Sequence, residues 1–328
     1  MENPSQRCLA VLKPGDIFRD WLVEILGTNI DNDKCDVEVY RLNPASHTVC
    51  RYDFSGEAFS VVGKFYSEAI GWKNNGDPNN LLMHEFHALK RLRGIIDVPK
   101  AIAIRNDFNC VLVTEYIDGD SFYRSLETEI DLYNHLTKLA RLFRSLHENT
   151  KTNFYHKDEE FANFHRVLDG LHVNRVTRDN YNRILGDWWH SAILDQPHGC
   201  MIHNDTSPAN YRIMNNGRIY MLDLESFQEN ANFVRDLGTI AAEIKRFFIC
   251  YKGCKERAEQ YIGHFLWNYA INEDEFLRIT RMLPFFMSLN HFVSANMSYN
   301  AIQRDFLLKE ANSCLNAIYS KNMLKKIR

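Results

Sequence analysis

The run His203-Asn204-Asp205-Thr206-Ser207-Pro208-Ala209-Asn210, followed by Leu222-Asp223-Leu224-Glu225, constrains this chain more than any other feature. It sets a carboxylate, an amide five residues on and two further carboxylates on two adjacent passes of backbone. Phosphoryl transfer from ATP to a hydroxyl asks for that set: a carboxylate beside the acceptor oxygen, and oxygen ligands that hold Mg²⁺ against the phosphates. Asp205 fits the first role. Asn210 and Asp223 fit the second, because Mg²⁺ is hard and prefers oxygen. The flanking residues supply a local fold. Cys200-Met201-Ile202 and Tyr211-Arg212-Ile213-Met214 are short apolar-rich runs, Asn215-Asn216-Gly217 is a turn signal, and Ile219-Tyr220-Met221-Leu222 reads as a strand ending at Asp223. A hairpin there would carry the Asp205 to Asn210 loop back beside Asp223. Any one of these residues also suits a capped polar loop; the full pattern H-x-D-x-x-x-x-N plus D-x-E suits it far less.

These motifs resemble those of the aminoglycoside phosphotransferase and choline kinase family, which shares the protein-kinase-like fold. His203, Asp205 and Asn210 match its catalytic loop, and His203-Asn204-Asp205 with Leu222-Asp223-Leu224-Glu225 is similar to the choline and ethanolamine kinase variant. Asn232-Phe233-Val234-Arg235-Asp236-Leu237-Gly238 is similar to the segment whose aspartate braces that loop. The resemblance implies an α+β, bilobal fold: a small antiparallel-sheet lobe with one main helix over residues 1–117, and a larger, mostly helical lobe over 118–328. It also implies ATP and Mg²⁺ as cofactors, Glu225 as the ligand of a second metal or the group that orients a water, His203 as a packed loop anchor and Asp236 as the brace.

Kinase chemistry further needs a lysine for the ATP phosphates and a helix glutamate to hold it. Phe59-Ser60-Val61-Val62-Gly63-Lys64-Phe65-Tyr66 is a strand-like run containing Lys64, and Glu85 sits inside a run with apolar residues at Leu82, Phe86 and Leu89. Cys110 to Ile117 is an apolar strand running into an acidic connector, where backbone groups of about Glu115 and Ile117 would bind adenine. No G-x-G-x-x-G loop precedes Lys64. A hairpin around Asn43 to Ser46 takes that position, leaving Ser46 and His47 as candidates for covering the phosphates.

Composition points to a soluble, cytoplasmic enzyme. The 328 residues are 45% hydrophobic, enough for a sizeable core, and the net charge of −3 lacks the basic footprint of a nucleic-acid binder. No apolar stretch approaches a membrane span, and no signal peptide opens the chain. Eight scattered cysteines read as reduced thiols, since Cys250-x-x-x-Cys254 has no second pair to complete a zinc site. From residues 18 to 117, strand-like runs alternate with the single Glu85 helix. Helical periodicity dominates from residue 137, with Pro284 predicted as a helix break.

Three readings stay open: a small-molecule kinase, a protein kinase, and a non-catalytic nucleotide-binding module of the same fold. Ser207 stands where a protein Ser/Thr kinase typically has lysine, and about ten residues between Glu225 and Arg235 leave no room for an activation loop. A degenerate module usually loses the catalytic aspartate or a metal ligand, and none is lost. For the acceptor hydroxyl, the H-N-D and D-x-E details lean towards amino alcohols. Recognition of a methylated cation needs aromatic faces, for which Trp188, Trp189, Trp267, Phe285, Phe286, Phe292 and Tyr299 are candidates, most of them expected in the core. The segment from Ser288 to Asn296, placed in the cleft if it matches the choline kinase helix, carries amides and hydroxyls that suit a polyol better. A sugar or sugar conjugate is therefore preferred slightly over choline, ethanolamine or an aminoglycoside.

Overall fold

A computed structural model describes residues 8–42, 47–68 and 77–320. The chain divides into two compact units, one of residues 1–119 with 214–216 and 220–225, the other of 120–213, 217–219 and 226–328.

The first unit is built on an antiparallel six-stranded sheet of β1 (Cys8–Leu12), β2 (Val37–Arg41), β3 (Thr48–Phe54), β4 (Ser60–Phe65), β5 (Ala101–Arg105) and β6 (Val111–Glu115), in the order β1-β2-β3-β4-β6-β5. Side chains alternate across a strand, and one face is apolar. Val37 lies opposite Phe54, Val39 opposite Tyr52, and Tyr52 opposite Val61. These residues are buried with Trp21, Leu22 and Leu26 of helix α1 (Ile17–Leu26). The same alternation sends Lys64, three residues after Val61, to the opposite face.

Helix α1 departs from the expectation of a single helix in this region. Its aromatic and β-branched residues read as strand-like, yet the Asp16 carboxylate accepts the N–H groups of Phe18 and Arg19 and Gly27 ends the helix at φ 51°. Caps and burial of Trp21 and Leu22 outweigh propensity here. The second helix, α2 (Pro78–Leu92), starts at an Asp77 cap and buries Leu82, Glu85, Leu89 and Leu92. Spacings of three, four and three put all four on one stripe, so Glu85 is the lone charge on an apolar face.

The second unit is mostly helical: α3 (Phe122–Thr128), α4 (Leu132–Asn149), α5 (Lys157–Gly170), α6 (Arg175–His190), α7 (Val234–Lys252), α8 (Lys255–Tyr269), α9 (Glu273–Met297) and α10 (Ala301–Leu315). Short strands β7 (Asp120–Ser121), β8 (Cys200–Ile202), β9 (Tyr211–Ile213) and β11 (Gln228–Ala231) belong to it, with β7 paired to β9 and β8 to β11, whereas β10 (Ile219–Met221) has its last two residues in the first unit. Helix α9 packs against α7 so closely that a Cβ on Gly238 would lie 2.5 Å from Phe286 Cβ.

Pro284 does not break the helix as predicted; α9 runs through it. An interior proline costs about 3 kcal/mol. Burying Leu283, Phe285 and Phe286 beside it returns about 1.5–3 kcal/mol each, so packing wins. The expectation that Ser288 to Asn296 lines a cleft also needs correcting, because Ser288, His291 and Phe292 are fully buried and Asn296 donates to the Val167 carbonyl at 2.8 Å.

Candidate active site

In the first unit, Lys64 is the centre of a charge cluster. Its Nζ lies 2.8 Å from Glu85 Oε2, 2.6 Å from Asp223 Oδ1 and 2.8 Å from Glu225 Oε2. Burial alone would lower the Lys64 ammonium, but Asp223 and Glu85 hold it well above its ordinary range. Glu85 is itself over-determined. Its Oε2 accepts the Tyr66 hydroxyl, and its Oε1 accepts the Leu224 N–H at 3.2 Å. That bond fixes the segment just after Asp223, whose backbone takes the left-handed φ of 59°, a conformation uncommon outside glycine and enriched in Asp and Asn.

Glu225 is buried, and its Oε2 lies 3.0 Å from His47 Nε2. Burial would raise this carboxyl; His47 and Lys64 overcome it and hold the group below the ordinary carboxylate range. Glu85, Asp223 and Glu225 each offer an oxygen within 4.8 Å of the others. Three carboxylates against one ammonium leave an excess negative charge, and the donors are all hard oxygens. The residues present therefore fit a divalent ion such as Mg²⁺.

Of the adenine candidates, Glu115 closes β6 and Ile117 is buried just beyond it. The Glu115 N–H donates to the Lys100 carbonyl at 3.0 Å, and its carboxylate accepts the Lys100 N–H at 2.9 Å. Of the phosphate-covering candidates, Ser46 lies outside the described residues; His47 is described and faces Glu225.

In the second unit, the loop from His203 to Asn210 hangs on Asp236. The Asp236 carboxylate, fully buried, accepts the N–H of His203 at 2.8 Å and that of Asn204 at 2.9 Å. Its Oδ2 also lies 3.2 Å from His147 Nε2, while His147 Nδ1 lies 3.0 Å from the Tyr269 hydroxyl. Thr206 donates through its hydroxyl to the Asp236 carbonyl at 3.0 Å. His203 is fully buried, and its Nδ1 accepts the Asp205 N–H at 3.2 Å, a geometry suited to an anchor. Asn210 donates from Nδ2 to the Asp205 carbonyl at 2.9 Å, which directs its amide oxygen the other way.

Beside Asp205 stands a polar group absent from the motifs. Tyr123 donates to Glu243 Oε2 at 3.4 Å, Arg246 pairs with Glu243, and Ser207 shares a hydrogen bond with Tyr123. The Glu243 carboxyl is pushed up by burial first, with Arg246 opposing and Asp205 adding to the rise. Tyr66, His147, Tyr123, Glu243 and Arg246 all escape motif reading, and His47, a candidate for covering the phosphates, faces Glu225 instead. The one available signal is a charged or aromatic residue on an otherwise apolar face, as with His147 at the end of Leu139, Phe143 and Leu146.

The sequence matches the model of the phosphotransferase enzyme family over residues 73–269, more than half of the 328. No curated protein matches it by sequence. Among solved structures it is similar to a choline kinase from Streptococcus pneumoniae, at 15% identity and TM-score 0.59, covering 92% of this chain and 99% of that one. An ethanolamine kinase from Plasmodium vivax aligns at 12% identity and TM-score 0.59, covering 85% and 81%. An ADP-bound aminoglycoside phosphotransferase aligns at 15% identity and TM-score 0.56, covering 92% and 97%. At such identities these likenesses establish the protein-kinase-like fold, and the family match adds the rest: the chain belongs to the phosphotransferase enzyme family.

Proposed function

We propose that this small-molecule kinase uses ATP and Mg²⁺ to phosphorylate a hydroxyl of a polyhydroxylated acceptor, such as a sugar or sugar conjugate. The observation that carries the reading is the Lys64 cluster, in which one ammonium meets Glu85, Asp223 and Glu225 together. A phosphate-binding lysine needs a fixed glutamate, and the excess negative charge needs a metal. In this reading Glu85 holds Lys64 for the nucleotide phosphates, and backbone groups at Glu115 and Ile117 take adenine. Asn210, Asp223 and Glu225 are the metal ligands, and the ion supplies neutralisation of charge developing on the transferred phosphoryl. Asp205 accepts or orients the acceptor proton. Asp236 and His203 keep the loop in shape.

The wall beside Asp205 supports the acceptor class. Tyr123, Ser207 and Arg246, half-buried, offer hydroxyl and guanidinium groups, which hydrogen-bond a polyol, and Glu243 is buried with them. Trp188, Phe285, Phe286 and Phe292 are buried in the helical core, so they are unavailable as an aromatic box for a methylated cation. A second reading has its own support. Glu243 and Asp205 are close enough to repel, which favours an acceptor carrying an amine, as in amino sugars or amino alcohols. We assign the reaction to the cytoplasm, in keeping with eight cysteines that form no disulfide with one another; no helix among the described residues is long and apolar enough to cross a membrane.

A coupled ADP-release screen over sugars, amino sugars, aminoglycosides and amino alcohols tests the assignment. Turnover with a polyhydroxylated compound is expected. Robust choline turnover with inert sugars would overturn the acceptor class and leave the kinase intact.

A further inference from the structure

We propose that His47 is a positioning residue that holds the Glu225 carboxylate ready as a ligand for the divalent ion of the nucleotide complex. The proposal rests on the kinase reading above. Three observations lead to it. His47 is 4% exposed and its ring packs on Tyr66 at a centroid distance of 4.9 Å, so the imidazole is fixed rather than sampling solvent. Its Nε2 lies 3.0 Å from Glu225 Oε2, whereas Nδ1 is buried and has no hydrogen-bond partner among the described residues. A ring nitrogen that faces a carboxylate carries the proton, so Nε2 donates to Glu225.

The need for such a contact follows from Lys64. That ammonium is shared among three carboxylates, and a lysine that turns to nucleotide phosphates leaves at least one of them. Glu225, buried and without the lysine, would lose one of the contacts that aim its carboxylate. His47 stays in place at 3.0 Å and keeps it aimed. Partners that orient a metal ligand typically contribute about 10- to 100-fold to metal affinity.

The test is equilibrium Mn²⁺ binding, read by electron paramagnetic resonance, in the presence of a non-hydrolysable ATP analogue. His47→Ala should weaken Mn²⁺ binding about 10- to 100-fold. His47→Gln, whose Nε2 reaches the same place as a donor, should recover most of it. Thermal melts of both variants separate this from loss of packing, since a merely structural histidine would lower the melting point without moving metal affinity in the folded protein. Mn²⁺ affinity within twofold of wild type for folded His47→Ala, or equal loss in Ala and Gln variants, overturns the proposal. If the wild-type protein binds no Mn²⁺ with the analogue, the kinase reading itself fails, and this inference with it.

Discussion

In the first unit one ammonium, Lys64, is surrounded by three carboxylates; in the second one buried carboxylate, Asp236, accepts two backbone N–H groups of the loop it holds. The first arrangement carries surplus charge and is completed by a ligand. The second is complete in itself, with two backbone N–H groups and an imidazole on one carboxylate. The difference separates two jobs that a phosphotransferase must combine. A nucleotide site has to trade its internal ion pairs for phosphate and metal. A catalytic loop has to keep its aspartate in one place whatever the ligand does. Exchangeable charge serves the former, and fixed hydrogen bonds to the backbone serve the latter.

If Asp236 is a self-sufficient scaffold, removing it should produce the largest effect on stability. Asp236→Ala leaves buried donors on His203 and Asn204 unpaired, and a loss of about 3–5 kcal/mol is expected. Urea denaturation measures it, and a midpoint shift below about 1 kcal/mol would mean that the loop is held by other contacts.

The Lys64 cluster is predicted to behave as one unit. Lys64→Ala and Glu85→Ala combined in a double-mutant cycle should show a coupling of roughly 0.5–3 kcal/mol in nucleotide binding. Additivity would show that the contact is incidental, and the contrast between the units would lose its first half.

A smaller effect probes how strongly the second unit prefers neutral buried groups. His291 is 1% exposed, its two ring nitrogens have no hydrogen-bond partner among the described residues, and burial, with Lys245 and Arg246 nearby, pushes its pKa down to about 3. The unfolded state, with an ordinary pKa near 6.5, takes up the proton first. The native state is therefore unpenalised above about pH 6.5 and progressively destabilised as pH falls towards 3. At pH 5 the penalty is about 2 kcal/mol. Wild type should lose about 2 kcal/mol relative to His291→Leu between pH 7 and pH 5; parallel pH profiles would place a charged or solvated histidine there.

The fold and part of the site are legible in the sequence because they depend on local pattern. His203, Asp205 and Asn210 fall within one loop, and Asp223 and Glu225 follow one strand. The Lys64 to Glu85 contact is legible from two periodicities, strand alternation that turns Lys64 from the Val61 face and a helical stripe that buries Glu85. What escapes is set by packing between distant segments. His47 meets Glu225 across 178 positions of chain, the difference of the two numbers, and no local rule joins them. Helix α1 and the passage of α9 through Pro284 are decided by buried aromatics against weak local preferences. Glu243 and Arg246 read as an ordinary i,i+3 pair on α7 until Tyr123 and Asp205 are brought beside them.

Asp205 is proposed to serve phosphoryl transfer to a hydroxyl, and the decisive measurement is single-turnover transfer of the labelled γ-phosphate of ATP to the best acceptor. A positioned base contributes roughly 10²- to 10⁴-fold, so folded Asp205→Ala should transfer label slower by that factor while still binding nucleotide. Transfer by Asp205→Ala at the wild-type rate would contradict the account.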